Sequence, residues 1–236
     1  ARSLGRQSVV SLVFAQDQLR SMTEPQTRHY RRDDVIAFRK TGETFGGLSN
    51  MAPGFPIMLL GHRIRTAEAL YQSCRFPHLP HIQRMILDET SPMTAKMRSK
   101  PYREESRPDW ETVRVPIMKW CLRVKLAANW SSFSTLLLRT GDRPIVEDSR
   151  KDDFWGAKPD ADTLEGRNVL GRLLMELRTL LVTDPGELRI VKPVPIANFL
   201  LLQEPIGIVE AQETSGHQHA DPSLEDCRQL RQTAFL

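Results

Sequence analysis

From Asn168 to Leu181 the chain reads NVLGRLLMELRTLL, with apolar residues returning at helical spacing. A second run, VPIMKWCLRVKLAANW, sets Ile117, Cys121, Val124 and Ala128 on one stripe, which Met118, Leu122 and Leu126 extend. The spacing predicts a longest helix from Pro108 to about Asn129, kinked or broken at Pro116, whose ring removes a backbone donor. The other apolar segments are short. VIAFRK and PIVED read as strands, and FPIMLL and HRIRT flank Gly61 as a β-hairpin with its turn near Leu60–His62. Thr66 caps a helix, TAEALYQSCRF, that ends at Pro77. PHIQRMILD and SPMTAKMRS are short helices with proline at their starts, and FSTLLLRT is a helix begun by Ser131 or Ser132 and closed by Gly141. The expected fold is α+β and helix-dominated, a single domain with a small N-terminal β-hairpin element.

That domain is read as residues 34–182. Residues 1–33 form an N-terminal tail, in which Met22 is read as a natural start and 1–21 as upstream or vector-derived sequence. Residues 183–236 form a C-terminal arm that adds a strand or a packing segment, and then a polar tail, disordered in part. No apolar run approaches the ~18–20 residues of a membrane span, which excludes a membrane helix. Cys74, Cys121 and Cys227 are far apart and in no metal-like spacing, so a reducing, cytoplasmic compartment with free thiols is expected. His78-x-x-His81 and His217-x-His219 lack partners for zinc, and neither metal nor cofactor is expected. Residues 62–143 carry fifteen basic and eight acidic side chains, residues 144–236 ten and sixteen. A basic middle suits an anionic partner, although solvated faces explain it equally well.

Residues 152–168, DDFWGAKPDADTLEGRN, combine four aspartates and a glutamate with a tryptophan, two glycines and a proline. A linker would lack the tryptophan and a core segment would lack the acids. On an irregular loop, Asp152 can orient a water or stabilise a positive sugar, Trp155 offers a flat face, and Gly156 lets backbone approach a ligand. The helix start at Arg167–Asn168 would present free N–H groups to a phosphate. A Ca²⁺ site is the alternative for Asp160, Asp162 and Glu165, but the EF-hand spacing is absent.

Glu68 falls in the first turn after Thr66, where an acid stabilises a helix by ~0.3–1 kcal/mol. The same dipole-stabilised carboxylate suits a base or an electrostatic stabiliser better than a proton donor. Lys125 falls at the rim of its helix stripe, where a snorkelling side chain is the plain reading. A partly desolvated lysine can instead bind phosphate or attack a sugar carbon to form an imine. In FGGLSNM, Phe45 and Asn50 bracket a glycine pair, which reads either as a tight turn or as a loop holding a planar ligand.

Five separated blocks, FGGLSNMAPGFPI, TAEALYQSCRFP, SPMTAKM, RPDWETVRVPIMKWCLRVKLAANW and LLLRTGDRPIVEDSRKDDFWGAKPDADTLEGRNVLGRLLMELR, resemble the NADAR family in order and spacing. The resemblance covers about residues 38–181. It implies an N-glycosidase; one branch of the family cleaves phosphorylated riboflavin-biosynthesis intermediates, and another removes ADP-ribose from guanine bases in DNA, reversing a toxin. By resemblance Glu68 is the catalytic glutamate, Asp152 the aspartate, Lys125 a catalytic lysine and Trp110 a functional tryptophan. Asn50, Trp155, Gly156 and Asn168 then fall at positions that line the ligand pocket. FWGAKPDADTLEGRN stands where many relatives carry a glycine-rich stretch.

The expectation is a hydrolase that acts on ADP-ribosylated guanine in nucleic acid, or on ADP-ribose, with a cognate ADP-ribosyltransferase toxin as a possible partner. Glu68 and Asp152 would flank a ribose whose C1′ becomes positive as the C1′–N bond breaks. Lys125 would hold the ring oxygen or trap the opened sugar as an imine. The alternatives are a glycosidase of riboflavin intermediates, and a non-catalytic ADP-ribose-binding module.

Overall fold

The structure, a computed structural model, describes residues 26–211. The expectations for Met22, Cys227, His217, His219 and the polar tail lie outside those residues. In order, the chain forms β1 (Arg28–Arg31), β2 (Ile36–Phe38), the hairpin strands β3 (Ile57–Leu59) and β4 (His62–Ile64), then α1 (Ala67–Ser73), α2 (Pro80–Asp88) and α3 (Pro92–Ser99). There follow α4 (Trp110–Ala128), α5 (Trp130–Leu138), β5 (Ile145–Glu147), β6 (Lys158–Asp160), β7 (Thr163–Gly166) and α6 (Val169–Thr183). A 3₁₀ turn at Pro185–Arg189 and the short strands β8 (Ile190–Val191), β9 (Leu200–Leu201), β10 (Glu204–Pro205) and β11 (Val209–Glu210) complete it. The fold is α+β and dominated by helix, as the sequence implies.

Local chemistry explains the elements near the site. The hairpin turns on Leu60 and Gly61, both at positive φ (49° and 73°), which glycine adopts without strain. Thr66 caps α1, its Oγ1 accepting from the N–H of Ala69 at 3.2 Å. Proline opens α2 and α3, where a missing N–H costs nothing. Contrary to the expected kink or break, α4 runs unbroken through Pro116. Pro116 and Thr112, whose carbonyl loses its helical partner, are both exposed near the helix start, which leaves that carbonyl open to solvent.

The core joins α1, α4 and α6 through Leu70, Ile117, Cys121, Leu122, Leu174 and Leu177. Each such leucine or isoleucine contributes about 1.5–3 kcal/mol when taken from water. The parallel pair β2–β5 runs into this core, with Ile36 opposite Ile145 and Phe38 opposite Glu147. β5 packs against α6, which places the C-terminal end of the strand beside the helix start.

Two segments differ from the sequence reading. Arg28–Arg31, read as tail, pairs antiparallel with β7. The acidic stretch is irregular only as far as Ala157; Lys158–Gly166 is the β6–β7 hairpin of the sheet β1–β7–β6, turning at Ala161 (φ 45°). Beyond α6, β8 and β11 pack on α4 and Phe199 sets its ring against Trp120 at 4.9 Å. The wholly buried Gln83 of α2 ties this segment down: its Nε2 donates to Ser73 O and Leu200 O, each at 3.0 Å, and its Oε1 accepts from Leu202 N–H at 2.6 Å. Among the described residues no helix is long and apolar enough to cross a membrane, and no three His, Cys, Asp or Glu side chains lie close enough to hold a metal ion.

Candidate active site

Three acidic side chains from three different elements lie near enough for Glu68 and Asp152 to bear electrostatically on Glu147. Glu68 stands in the first turn of α1, Glu147 ends β5, and Asp152 begins the loop that follows. Glu68 is 5% exposed. Its Oε1 accepts from Gln72 Nε2 at 3.0 Å and lies 3.9 Å from the ammonium of Lys96 on α3. Gln72 is itself fixed, its Oε1 accepting from Ser99 Oγ at 3.0 Å. The Glu68 backbone N–H donates to the carbonyl of Asn50 at 3.0 Å, so the 45–51 loop sets the helix start.

Glu147 is only partly exposed at the end of its strand. Burial, then the charges of Glu68 and Asp152, push its pKa up to about 7, against the weaker opposing pull of Lys96. Paired carboxyls of which one retains a proton near neutrality are a recurring acid–base device. Asp152 is oriented by its own loop: Oδ1 accepts from Phe154 N–H at 3.0 Å and Trp155 N–H at 2.8 Å. Trp155 thereby comes to rest edge-on to Tyr71 of α1, centroids 5.7 Å apart. Tyr71, beside Glu68 and buried, has its phenol pushed well above its usual pKa by burial and by that carboxylate, and stays neutral.

The sequence thus brings Glu68, Asp152 and Trp155 together, and misses Glu147 and Lys96. Both signals were present: Glu147 closes the short strand PIVED at a turn, and Lys96 lies in the SPMTAKM block. Nothing in either pattern reveals a carboxylate or a cation on its own; only the parallel pairing of β5 with β2 and the packing of α3 on α1 aim them at Glu68.

Other expected site residues are engaged by contacts within the fold. Lys125 is not on a rim; it is wholly buried, donating from Nζ to Gly47 O at 2.6 Å and Ser49 O at 3.0 Å beneath the rings of Phe55 and Phe133. Burial draws its pKa down to about 7. Asn50 turns its amide inward onto Met118, and Phe45 packs half-buried at the start of that loop with Arg139 near its ring. Trp110 is buried under Tyr71 and Arg75 instead of offering an open face.

Nor is the start of α6 a free anion site. The N–H groups of Arg167, Asn168, Val169 and Leu170 are taken by the carbonyls of Asp153, Gly156, Phe154 and Trp155. Arg167 points outward, near Phe154. Asn168, with no exposed surface, donates from Nδ2 to Ile145 O at 2.8 Å and accepts at Oδ1 from Glu147 N–H at 3.2 Å. Gly156 does allow a close approach, but to β5: a Cβ there would lie 2.5 Å from the Glu147 carbonyl. Asp160 and Asp162 are exposed on the hairpin and Glu165 faces His29 at 3.8 Å.

The NADAR domain profile matches residues 37–182. The N-glycosidase YbiA of Escherichia coli (strain K12) is 32% identical over 160 residues, spanning 66% of this chain and 94% of that protein. The riboflavin biosynthesis protein VVA0006 of Vibrio vulnificus is 34% identical over 146 residues, 62% of this chain and 38% of that protein. The NMR structure of E. coli YbiA superposes with a TM-score of 0.56 at 31% identity, covering 66% of this chain and 90% of that one. With its family match over residues 37–182 and these relatives, the chain belongs to the NADAR domain family.

Proposed function

We propose that this chain is an N-glycosidase that removes ADP-ribose from guanine bases in DNA, reversing toxin-type ADP-ribosylation. Its family and its N-glycosidase relatives make it a hydrolase acting on N-glycosidic bonds. The observation that carries the mechanism is the meeting of Glu68, Glu147 and Asp152 beside Trp155. As the C1′–N bond lengthens, positive charge grows on the ribose and negative charge on the leaving base. Glu147, protonated up to about pH 7, gives its proton to the base. Of the other two acids, Glu68 and Asp152, one faces the oxocarbenium and one takes a proton from the attacking water. Trp155 supplies a flat face for a planar group, and Lys96 sets its ammonium 3.9 Å from Glu68.

Lys125 is the amine assigned to hold the ring oxygen or to trap the opened sugar. Its pKa of about 7 leaves a neutral fraction at physiological pH, which imine formation requires. The Gly47–Ser49 carbonyls must release it first. The basic 62–143 segment favours a polyanionic substrate, and the partner implied is the ADP-ribosyltransferase that modifies it. The test is mass spectrometry of a DNA oligonucleotide carrying ADP-ribosylated guanine, incubated with the protein and with Glu68→Gln, Glu147→Gln and Asp152→Asn. Release of ADP-ribose by the parent, lost in each variant, is expected; unchanged DNA would overturn it.

The names of two relatives, VVA0006 of Vibrio vulnificus and a riboflavin biosynthesis protein of Zea mays, favour a second reading, the same cleavage on a phosphorylated riboflavin intermediate. That substrate is small, so its binding would show a salt dependence of about one phosphate contact.

A further inference from the structure

Along α1 and just past its end, Glu68, Tyr71, Gln72 and Arg75 recur at helical spacing and share one face. One end of that face carries the carboxylates; the other carries arginines. Arg75 holds its guanidinium 4.6 Å over the ring of Trp110, and its Nε is buried with no hydrogen-bond partner among the described residues. Arg114 of α4 lies 3.8 Å over Phe154 and 5.9 Å from Trp155, in the loop that carries Asp152. Arg103, in the 3₁₀ segment after α3, is exposed and near enough to Arg75 for the two charges to repel.

Against these cations stands Glu111, whose Oε2 is 2.9 Å from Arg114 Nε and which is itself largely exposed. Burial lowers the Arg75 pKa, and Arg103 and Arg114 add to the lowering, opposed by Tyr71 and Glu111. A guanidinium set over an aromatic ring keeps N–H groups that the ring does not use, and cations gathered this way stabilise an anion. The expected phosphate site at the start of α6 is blocked by its own loop, so the site must supply phosphate contacts elsewhere.

We infer that Arg75, Arg103 and Arg114 form a phosphate-binding wall for the substrate's ribose phosphate or diphosphate. The inference rests on the glycosidase reading for its substrate and deepens it. Seven positions, the last two past the end of α1, separate Glu68 from Arg75, roughly 10 Å if helical rise continues. A ribose held at the carboxylates with its 5′-phosphate towards the arginines spans that interval with the reach of the two side chains. Tyr71 and Trp155 lie between, against the sugar.

The experiment is a titration of the whole protein with inorganic pyrophosphate, ADP-ribose and adenosine, read by tryptophan fluorescence, since Trp110 and Trp155 contact the wall. Arg75→Gln, Arg103→Gln and Arg114→Gln are compared, with thermal unfolding as the check on folding. Each variant is expected to raise Kd for pyrophosphate and ADP-ribose about tenfold, the size of one charge-assisted hydrogen bond, and to leave adenosine unchanged. Arg103 is exposed, so its variant reports even if Arg75→Gln loosens the Trp110 cluster. Unchanged affinities for the phosphorylated probes in all folded variants would overturn the wall.

An unmodified duplex oligonucleotide forms the other arm. If the variants weaken only the oligonucleotide and flatten its salt dependence, the arginines hold DNA backbone and the substrate-phosphate assignment falls. No turnover is needed. A protein that binds pyrophosphate at the wall yet cleaves nothing keeps the wall and loses the glycosidase reading; cleavage with arginine variants that bind normally does the reverse.

Discussion

Lys125 donates its ammonium hydrogen to the carbonyl of Gly47 at 2.6 Å, across seventy-eight positions of sequence, and with a second bond to Ser49 fixes the loop whose Asn50 carbonyl holds Glu68. Lys125→Met fills the same volume but leaves both carbonyls without a donor, at about 1–3 kcal/mol each. Removing a buried cation offsets part of that cost. The variant should fold with a lower urea midpoint than the parent's and lose most activity.

The same lysine should leave a chemical trace. During turnover with borohydride, an imine between Nζ and the opened sugar is reduced to a stable secondary amine, and peptide mass spectrometry should find the sugar on Lys125. Absence of that mass while the parent is turning over would reduce Lys125 to the anchor of its loop.

Glu147 predicts opposite effects on stability and rate. Its folded pKa of about 7 lies above the roughly 4.3 of an unfolded glutamate. Between those values the folded chain binds the proton more tightly. Its contribution is therefore fully present at low pH, is lost as pH rises towards 7, and becomes a standing cost above that. Glu147→Gln should be about 1–2 kcal/mol more stable than the parent at pH 8, a figure reduced for the partial exposure of the side chain, and equal to it near pH 4. Its rate should fall about 10²–10⁴-fold, and the parent's own rate should decline as pH rises through about 7. Denaturant titrations at the two pH values decide it: a constant difference would mean that Glu147 ionises normally.

Asp152 separates charge from architecture. Asp152→Asn keeps an Oδ1 acceptor for Phe154 and Trp155, so the loop should stand and thermal stability change little while activity is lost. Asp152→Ala removes the acceptor as well. Two N–H groups then lose their partner, the stability cost is about 1–3 kcal/mol, and Trp155 leaves its place against Tyr71. Trp fluorescence should shift in the alanine variant alone; a shift of equal size in both would show that the charge itself holds the loop.

What could be read from sequence divides by the range of the interaction. Thr66 as cap, Pro80 and Pro92 at helix starts and Leu60–Gly61 as a turn are decided within a few residues, and each was legible. Glu68 and Asp152 were singled out because the blocks around them are distinctive. Lys125 was misplaced at a rim because helical spacing gives a direction but not the depth of what lies there, and the loop above it comes from residues 47–49. The acidic stretch was read as one loop because its pairing partner, β1, lies some 130 positions away. Glu147 stayed hidden for the same reason: a single acid at a strand end acquires meaning only when β5 is laid beside β2.

Asn168 offers the sharpest separation of support from contact. It sits at φ 49°, a left-handed conformation that asparagine tolerates and alanine does not, and its amide bridges Ile145 and Glu147 on the strand behind the cleft. Asn168→Ala loses both bonds and strains the backbone, for a cost of about 2–4 kcal/mol. Asn168→Gly loses the same bonds without the strain, so it should be the more stable of the two by about 1 kcal/mol, the left-handed penalty. Both leave the Glu147 N–H unpaired and let β5 drift, which should lower kcat severalfold. Neither touches the arginine wall, so the affinity for ADP-ribose should stay within about twofold of the parent. Urea unfolding orders the variants and an ADP-ribose titration of Asn168→Gly completes the case. A tenfold loss of ADP-ribose affinity in that folded variant would place Asn168 against the ligand, and return the phosphate to the start of α6.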